Sequence, residues 1–238
     1  LHLFVGSVWI SPEEVSESLR SALSHLFGFS SETPTIAQEI VVHHRLTIAL
    51  TAAISGMALG GSGLFTQTLF RNPLADPSLL GINAGAALGA ALATMVIGSI
   101  PLVAGFTLTV FCALLGALVV LFLLRLASAT AVLLVGVMLS FIVSSVLSIL
   151  AHRASADGLR HYQLWLLGDC SSVSWEVLPL FSLLILVLIA IVFPRLRKLD
   201  AWLLGDFYAQ SLGIAVERER IVMLAIVGLL SALVTALC

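Results

Sequence analysis

Charge is what this sequence has least of: 10% of its 238 residues are Asp, Glu, Lys or Arg, whereas 60% are hydrophobic. Its mean hydropathy of +1.13 lies far outside the usual range of soluble domains, so we place the chain in a lipid bilayer. The net charge of −2 indicates no nucleic-acid partner. The three cysteines, at positions 112, 170 and 238, are too few and too scattered for a disulfide framework.

Long uncharged stretches predict six membrane-spanning helices. The stretches are 46–70, 78–124, 126–151, 177–194 and 221–238. About 20 apolar residues cross the hydrocarbon core, so the second stretch is long enough for two helices. Pro101 divides that stretch, because proline removes a backbone donor and seldom lies inside a helix. The chain starts at Leu1 without Met and stops at Cys238 inside an apolar run, so we expect a fragment of a longer protein.

The distribution of Lys and Arg predicts which loops are cytoplasmic. Successive loops alternate sides, and one set holds seven basic residues: Arg71, Arg125, Arg195, Arg197, Lys198, Arg218 and Arg220. The other set holds four: Arg20, Arg45, Arg153 and Arg160. Short cytoplasmic loops collect basic residues, so the first set is predicted to be cytoplasmic. The acidic segment 6–45 then faces outward, with an amphipathic helix near Pro12 to Phe27 that Ser11 caps.

The sequence RNPLADPSLLG, residues 71–81, collects polar and chain-breaking residues between two apolar stretches. It is expected to form a rigid crossover, in which Arg71 complements one helix C-terminus and Asp76 caps the next helix. Three glycines then repeat every four residues, at positions 81, 85 and 89, and Gly56 and Gly60 have the same spacing on the preceding helix. Such small-residue faces let helices approach closely in membranes, and they predict a compact bundle.

A second small-residue stripe consists of Gly136, Ser140, Ser144 and Ser148. In one interpretation it is a packing face whose hydroxyls bond back to helix carbonyls. In the other it is the wall of a polar pathway. Ionisable residues are absent from the predicted spans, so such a pathway would pass a solute without binding it strongly.

Residues 56–89 are similar to the second-to-third helix region of the FecCD-type ABC importer permeases, which move ferric siderophores, haem and vitamin B12. The matching motif residues are Gln67, Arg71, Asn72, Pro73, Asp76 and Pro77. The resemblance continues through 133–140, 162–175 and 199–220, and therefore covers nearly the whole chain. It implies an all-α polytopic transmembrane bundle with ten helices in the complete protein. This chain would hold the tail of the first helix and the second to the seventh.

The same resemblance implies a single permease domain, 1–238, in the bacterial inner membrane. Members of that family form homodimers, dock two cytoplasmic ATPases and receive a metal chelate from an external substrate-binding protein. The permease itself would carry no cofactor, because ATP and Mg²⁺ would lie on the ATPases. In agreement, the sequence has no phosphate-binding loop of the GxxxxGK[ST] type, so this chain is not the motor.

The resemblance also assigns roles to individual residues. Segment 199–220 is similar to the coupling segment that sits in a groove of the ATPase, with matching residues Gly205, Asp206, Ala209, Leu212 and Gly213. Taken without the family, it is a basic amphipathic connector. Ser128 and Thr130 resemble the cytoplasmic gate, although a plain tight turn explains them equally well. Arg45 keeps one of two arginine positions that dock the binding protein, and Ile48 stands at the other.

An enzyme is the alternative, because residues 60–63 fit the GxSG of rhomboid-like intramembrane serine proteases. There a His on another helix would activate Ser62. His152 is the best candidate, yet it lies at a helix end on the side opposite to Ser62. Small residues at helical spacing are more often packing residues. A purely structural or receptor-like bundle is a third class, and it leaves the amphipathic cytoplasmic loop unexplained.

The predicted orientation can be tested by cysteine labelling of the full-length chain in a background without native cysteines. A cysteine at Arg197 should be shielded from a membrane-impermeant maleimide in intact cells, whereas a cysteine at Ser155 should react, because strict alternation of the spans places them on opposite sides. Labelling in the reverse order would overturn the orientation and the importer interpretation together.

Overall fold

The computed structural model describes residues 11–26, 36–97, 102–125 and 131–238, which are helical apart from short connections. The α-helices are α1 (Pro12–Leu26), α2 (Ile36–Glu39), α3 (Thr47–Phe70), α4 (Ile82–Ala91), α5 (Leu102–Arg125), α6 (Val132–Arg153), α7 (Ala156–Leu166), α8 (Leu178–Val192), α9 (Leu196–Leu203), α10 (Asp206–Ser211) and α11 (Val216–Leu237). Two π-helical segments, Ile40–Leu46 and Leu92–Ile97, extend α3 and α4. Short 3₁₀-helices cover Pro77–Leu80, Cys170–Ser172 and Phe193–Arg195.

Six apolar helices occur where the sequence predicts six spans. Among the described residues four are long enough to cross a membrane by length and composition: Ile40–Phe70, Val132–Arg153, Leu178–Leu203 and Val216–Leu237. Two shorter apolar helices, Ile82–Val96 and Leu108–Phe122, lie between the first and second of these. The predicted fifth span ends at Pro194, but the helix continues to Leu203. Pro194 lies in the first turn of a 3₁₀-helix, where its missing N–H breaks no bond.

The outward acidic helix is also present, as α1. Ser11 and Glu14 cap each other's backbone N–H groups at its start, at 3.3 Å and 3.0 Å. Val15 on its apolar side is buried. Phe27, at the predicted end of this helix, lies outside the described residues.

Close backbone approach holds α4 against α5. A side chain at Gly85 would collide with the backbone of Gly116, and a side chain at Gly89 would collide with the carbonyl of Cys112. The pairs run in opposite order along the two helices, so α4 and α5 are antiparallel and the predicted division of residues 78–124 is confirmed. Gly56 has no such role, since nothing in the described chain lies within 4 Å of a Cβ built there.

Helix α11 lies at the centre of the bundle, and α6 lies at its edge. More than half of the apolar window of α11 is buried (56%), against 17% for α6. Polar bonds join α11 to α4: Ser231 and Thr235 donate to Oδ1 of Asn83 at 3.0 Å and 3.2 Å. Such bonds matter between helices in lipid, because burial of apolar surface from water contributes little there.

Contacts between loops divide the bundle into two ends, in agreement with alternating spans. At one end Arg71 pairs with Asp206. At the other end the N–H of Asp169 bonds to the carbonyl of Cys238, and His43 packs against Trp175. We call the first the Arg71 end and the second the His43 end.

The glycine contacts generate a stability prediction for the full-length protein. Gly89→Leu should lower the stability of the purified permease by about 1–3 kcal/mol or more, because a side chain has no room against α5. Gly56→Leu, on an exposed face, is the matched control and should change it by less than about 0.5 kcal/mol. Thermal unfolding in detergent measures both. Equal destabilisation by the two variants would contradict the α4–α5 packing.

Candidate functional site

The crossover between α3 and α4 begins at Arg71, whose backbone is left-handed (φ 48°, ψ 39°). The N–H of Arg71 donates to the carbonyl of Thr68 at 3.2 Å, and that of Asn72 donates to the carbonyl of Gln67 at 3.1 Å. Oδ1 of Asn72 then accepts from the N–H of Leu74 at 2.9 Å. Pro73 and Leu74 lie exposed at the tip of the loop. Local bonds thus fix the turn, as expected of a rigid crossover.

Asp76 ends the crossover by capping the next helical turn. Its Oδ1 accepts from the N–H of Ser78 at 2.7 Å, and Pro77 occupies the first position of that turn. The predicted cap is confirmed, although the capped element is the 3₁₀-helix Pro77–Leu80 and not α4 itself. Gly81 then adopts φ 73°, which permits the bend into α4.

Asp206, the first residue of α10, accepts hydrogen bonds from three other elements. Nη2 of Arg71 and Nε1 of Trp202 donate to its Oδ1, at 3.0 Å and 2.8 Å. Nη2 of Arg220 donates to its Oδ2 at 3.0 Å. We call these four residues the Asp206 cluster. It joins the end of α3 to α9, α10 and α11.

The environment of the cluster favours the ionised carboxylate. Burial alone would raise the pKa of Asp206, but the Trp202 hydrogen bond and the charges of Arg71 and Arg220 outweigh it and hold that pKa below its ordinary value. The guanidinium carbon of Arg220 also lies 5.4 Å from the centre of the buried Trp202 ring, a cation–π contact. The cluster is therefore intact at neutral pH and is lost only as the pH falls through the lowered pKa.

The pair between Arg71 and Asp206 is absent from the sequence-based expectations. The sequence predicts that Arg71 complements a helix C-terminus and that Asp206 belongs to the surface that contacts an ATPase. In the structure the two side chains bind each other across 135 positions of sequence. No local pattern indicates such a contact, because both residues also fit surface roles.

A second carboxylate lies in the first turns of α11. Glu219 forms ion pairs with Nζ of Lys198 and with Nε of Arg195, the latter at 3.2 Å. We call these residues the Glu219 cluster. Its side chain is 14% exposed, compared with 35% for Asp206. Among the described residues the printed ion pairs of Glu219 fasten the start of α9 to α11 and do not reach α3.

Glycine turns bound α10 on both sides. Gly205 before it adopts φ 118° and Gly213 after it adopts φ 78°, conformations that other residues rarely take. Within α10, Ala209 is fully buried, so the helix rests on the protein through one face. The resemblance to a coupling segment with two short helices agrees with the succession of α9 and α10.

The outer face of this segment exposes large apolar side chains between two apolar spans. Phe207 is 87% exposed and Leu204 is 70% exposed. With Leu203, Tyr208 and Leu212 they form what we call the α10 patch. Contiguous exposed apolar residues indicate an interaction site. Of the matched coupling residues, Leu212 belongs to the patch, whereas Asp206 and Ala209 contact the protein itself.

The serine stripe of α6 has two environments. Gly136 is buried, and a side chain there would collide with the backbone of residues 79–80. Ser140 is half-buried, and its Oγ donates to the carbonyl of Gly136 at 3.0 Å. Ser144 and Ser148 are exposed. The first half of the stripe is therefore a packing contact with the crossover, and the second half faces away from the interior of the chain.

Comparison with known proteins gives one family for the whole chain. Residues 1–238 match the FecCD transport family. The chain belongs to this family. It is 30% identical over 215 residues to the hemin transport system permease protein HmuU of Yersinia pestis, which covers 88% of this chain and 64% of HmuU. It is 31% identical over 243 residues to the vitamin B12 import system permease protein BtuC of Yersinia pseudotuberculosis, which covers 100% of this chain and 66% of BtuC.

A solved structure resembles the fold of this FecCD chain. It is described as an inward-facing conformation of a metal-chelate type ABC transporter, and the two superpose with a TM-score of 0.76 at 26% sequence identity. The match covers 95% of this chain and 75% of the other. The all-α multi-span fold is thus confirmed. The chain spans just under two thirds of the length of the two named permeases.

Other residues with family-derived roles lie away from the Asp206 cluster. Arg45 is only 6% exposed within the π-helical segment Ile40–Leu46, and its docking role stays a prediction. Beside it, exposed His43 packs edge-on against Trp175, with ring centres 5.8 Å apart. Ser128 and Thr130, the predicted gate, lie outside the described residues.

Ser62 does not have the environment of a nucleophile. It is fully buried in α3, and its Oγ donates to the carbonyl of Leu59 at 2.9 Å. The nearest described histidine on the same helical run, His44, is about 27 Å away along the axis, at 1.5 Å per residue. In this FecCD chain Ser62 is a packing residue whose hydroxyl bonds to its own helix.

The stripe generates a prediction about transport by the full-length FecCD protein. Ser144→Leu should slow solute uptake per molecule at normal membrane abundance, because it adds apolar bulk to an exposed position on the predicted pathway wall. Gly136→Leu should instead lower abundance, because its site is packed. Uptake normalised to immunoblot signal separates the two effects. Reduced abundance of Ser144→Leu, with normal uptake per molecule, would identify the whole stripe as a packing face.

Proposed function

We propose that this chain is the permease subunit of a binding-protein-dependent ABC importer and that it forms the pathway for a metal chelate. The observation that carries the proposal is the match of the FecCD transport family to all of residues 1–238. The protein would be a multi-pass subunit of the bacterial inner membrane. ATP and Mg²⁺ would be bound by separate ATPase subunits.

The α10 patch supports an ATPase partner at the Arg71 end. Its apolar residues are exposed beyond the ends of the neighbouring spans, where neither lipid nor the described chain covers them. The same end carries the excess of basic residues expected of the cytoplasmic side. An apolar patch on a short helix, rimmed by charge, suits a groove on a soluble protein.

The exposed face of α6 supports a second copy of the permease. Only 17% of its apolar window is buried within the chain, and two of its exposed residues are the polar Ser144 and Ser148. Polar residues are costly against lipid and suit a pathway between two subunits. We place the translocation pathway at this face, between two copies related by a twofold axis.

The cargo class follows from the relatives, whose printed names mention hemin and vitamin B12, and from the solved structure described as a metal-chelate type transporter. Small residues and hydroxyls on α6 suit a bulky solute that passes without tight binding. A periplasmic or surface substrate-binding protein would deliver it at the His43 end. Arg45 is our proposed contact for that protein.

Gly213 provides the test of the ATPase interface. In reconstituted full-length complexes Gly213→Trp should lower co-purification of the ATPase and abolish its stimulation by the binding protein. Nothing in the described chain lies within 4 Å of a Cβ at this position, so the indole would project outward toward the partner. The permease dimer should keep its size, and the binding protein should still dock at the opposite end.

Gly213→Ala is the matched control. Both variants impose the same strain of about 1–2 kcal/mol on a left-handed residue, but only tryptophan adds bulk. The alanine variant should therefore retain most of the ATPase association. Normal association and hydrolysis in Gly213→Trp would show that 199–220 is not the coupling segment.

A further inference from the structure

We infer that Asp206 is a positioning residue through which movement of α10 reaches the pathway helix α6, by way of the crossover 71–81. The inference rests on the proposed function, and it adds the route by which an ATPase attached to α10 acts on the pathway. Four consecutive contacts carry it, each between described residues.

The first contact concerns the freedom of α10. This six-residue helix lies between Gly205 and Gly213, whose positive φ values make sharp turns at both of its ends. Turns of this kind let a short element move as a unit, unless side chains tie it to its neighbours. Asp206 supplies such a tie, because its carboxylate is bonded to α3, α9 and α11 at once.

The second contact is the bond between Asp206 and Arg71. Charge-assisted hydrogen bonds are short and directional, so they transmit displacement better than apolar contacts that slide. Phe207, the most exposed residue of the α10 patch, follows Asp206 directly in sequence. A partner that displaces Phe207 therefore displaces the carboxylate, and with it the guanidinium at the end of α3.

The third contact is the stiffness of the crossover. Arg71 is fixed by its own backbone bond to Thr68, and Asn72 and Asp76 each accept a hydrogen bond from a backbone N–H two residues ahead. Such bonds within the loop leave few ways to absorb a displacement. The segment from Arg71 to the 3₁₀-helix Pro77–Leu80 therefore moves as one piece.

The fourth contact joins the crossover to α6. The backbone of residues 79–80 lies so close to Gly136 that even a methyl group would not fit between them. A Cβ on Gly81 would lie 3.3 Å from Oγ of Ser140. Backbone contacts this tight cannot be compressed, so a shift of the crossover moves α6 or tilts it. Ser144 and Ser148, on the predicted pathway wall, lie one and two turns farther along the same helix.

The experiment uses the full-length permease with its ATPase and binding protein in proteoliposomes. We measure substrate imported per ATP hydrolysed, together with ATPase co-purification. Asp206→Asn and Arg71→Asn should each lower the import ratio roughly three- to tenfold, the size expected of charge-assisted bonds between partly exposed groups. Co-purification should stay normal, because the α10 patch is untouched. Asparagine suits position 71, since it tolerates the left-handed backbone.

Three further variants make the result specific. Asp206→Asn combined with Arg71→Asn should lower the ratio no more than either change alone, because both remove one interaction. Arg71→Lys keeps the charge and should restore part of the ratio. Glu219→Gln is the matched control: it neutralises a well-paired carboxylate of the same segment whose ion pairs do not reach α3, and it should leave the ratio near that of the wild type.

The outcomes separate this inference from the proposed function. An unchanged ratio in Asp206→Asn, additive losses in the double variant, or an equal loss in Glu219→Gln would overturn the role of Asp206 as the link. If the unmodified permease neither binds the ATPase nor stimulates its hydrolysis, the proposed function itself fails.

Discussion

Close approach of helix backbones is the constraint on which the rest of this structure depends. In lipid, helices gain little from burying apolar side chains, so they must gain from van der Waals contact and from polar bonds. Gly85 and Gly89 bring α4 within contact of α5, and Gly136 brings α6 within contact of the crossover. Each of these contacts exists because a side chain is missing. The bundle is therefore specified largely by its smallest residues.

Polar interactions take over at the Arg71 end, where the chain leaves the apolar spans. There the Asp206 and Glu219 clusters fasten α3, α9, α10 and α11 to one another. The two ends of the bundle thus differ in kind: contacts in the spans are short-range and fixed by shape, whereas those of the coupling segment are fixed by charge. An element held by charge can be released and recaptured without repacking a core, which suits a segment that responds to a partner.

Much of the fold could be predicted from the sequence, because hydropathy and chain-breaking residues are local signals. The six apolar helices, the cap at Asp76 and the close packing of Gly85 and Gly89 all follow from residues within a few positions of one another. Boundaries were harder. Pro194 predicts the end of a span, yet the helix runs through it, because proline is tolerated in a first turn.

The site was less accessible to sequence reasoning, since its residues meet only after the chain has folded. Arg71 and Asp206 belong to two recognisable motifs, but nothing in either motif indicates that they bind each other. Likewise the serine stripe has one period, yet its first half packs against the crossover and its second half is exposed. A regular spacing specifies a face of a helix, and the neighbours of that face depend on the whole bundle.

The bond between α4 and α11 has a consequence for biosynthesis. Asn83 is a polar residue in an apolar helix, and the hydroxyls that satisfy it belong to Ser231 and Thr235, 148 and 152 positions later. At a translation rate of about 5–20 residues per second, α11 emerges roughly 7–30 seconds after α4. During that interval the amide has neither its final partners nor, in lipid, bulk water. The helix that carries it must therefore wait at the insertion machinery or against a neighbouring segment, and the order in which the helices leave the ribosome becomes part of how this bundle assembles.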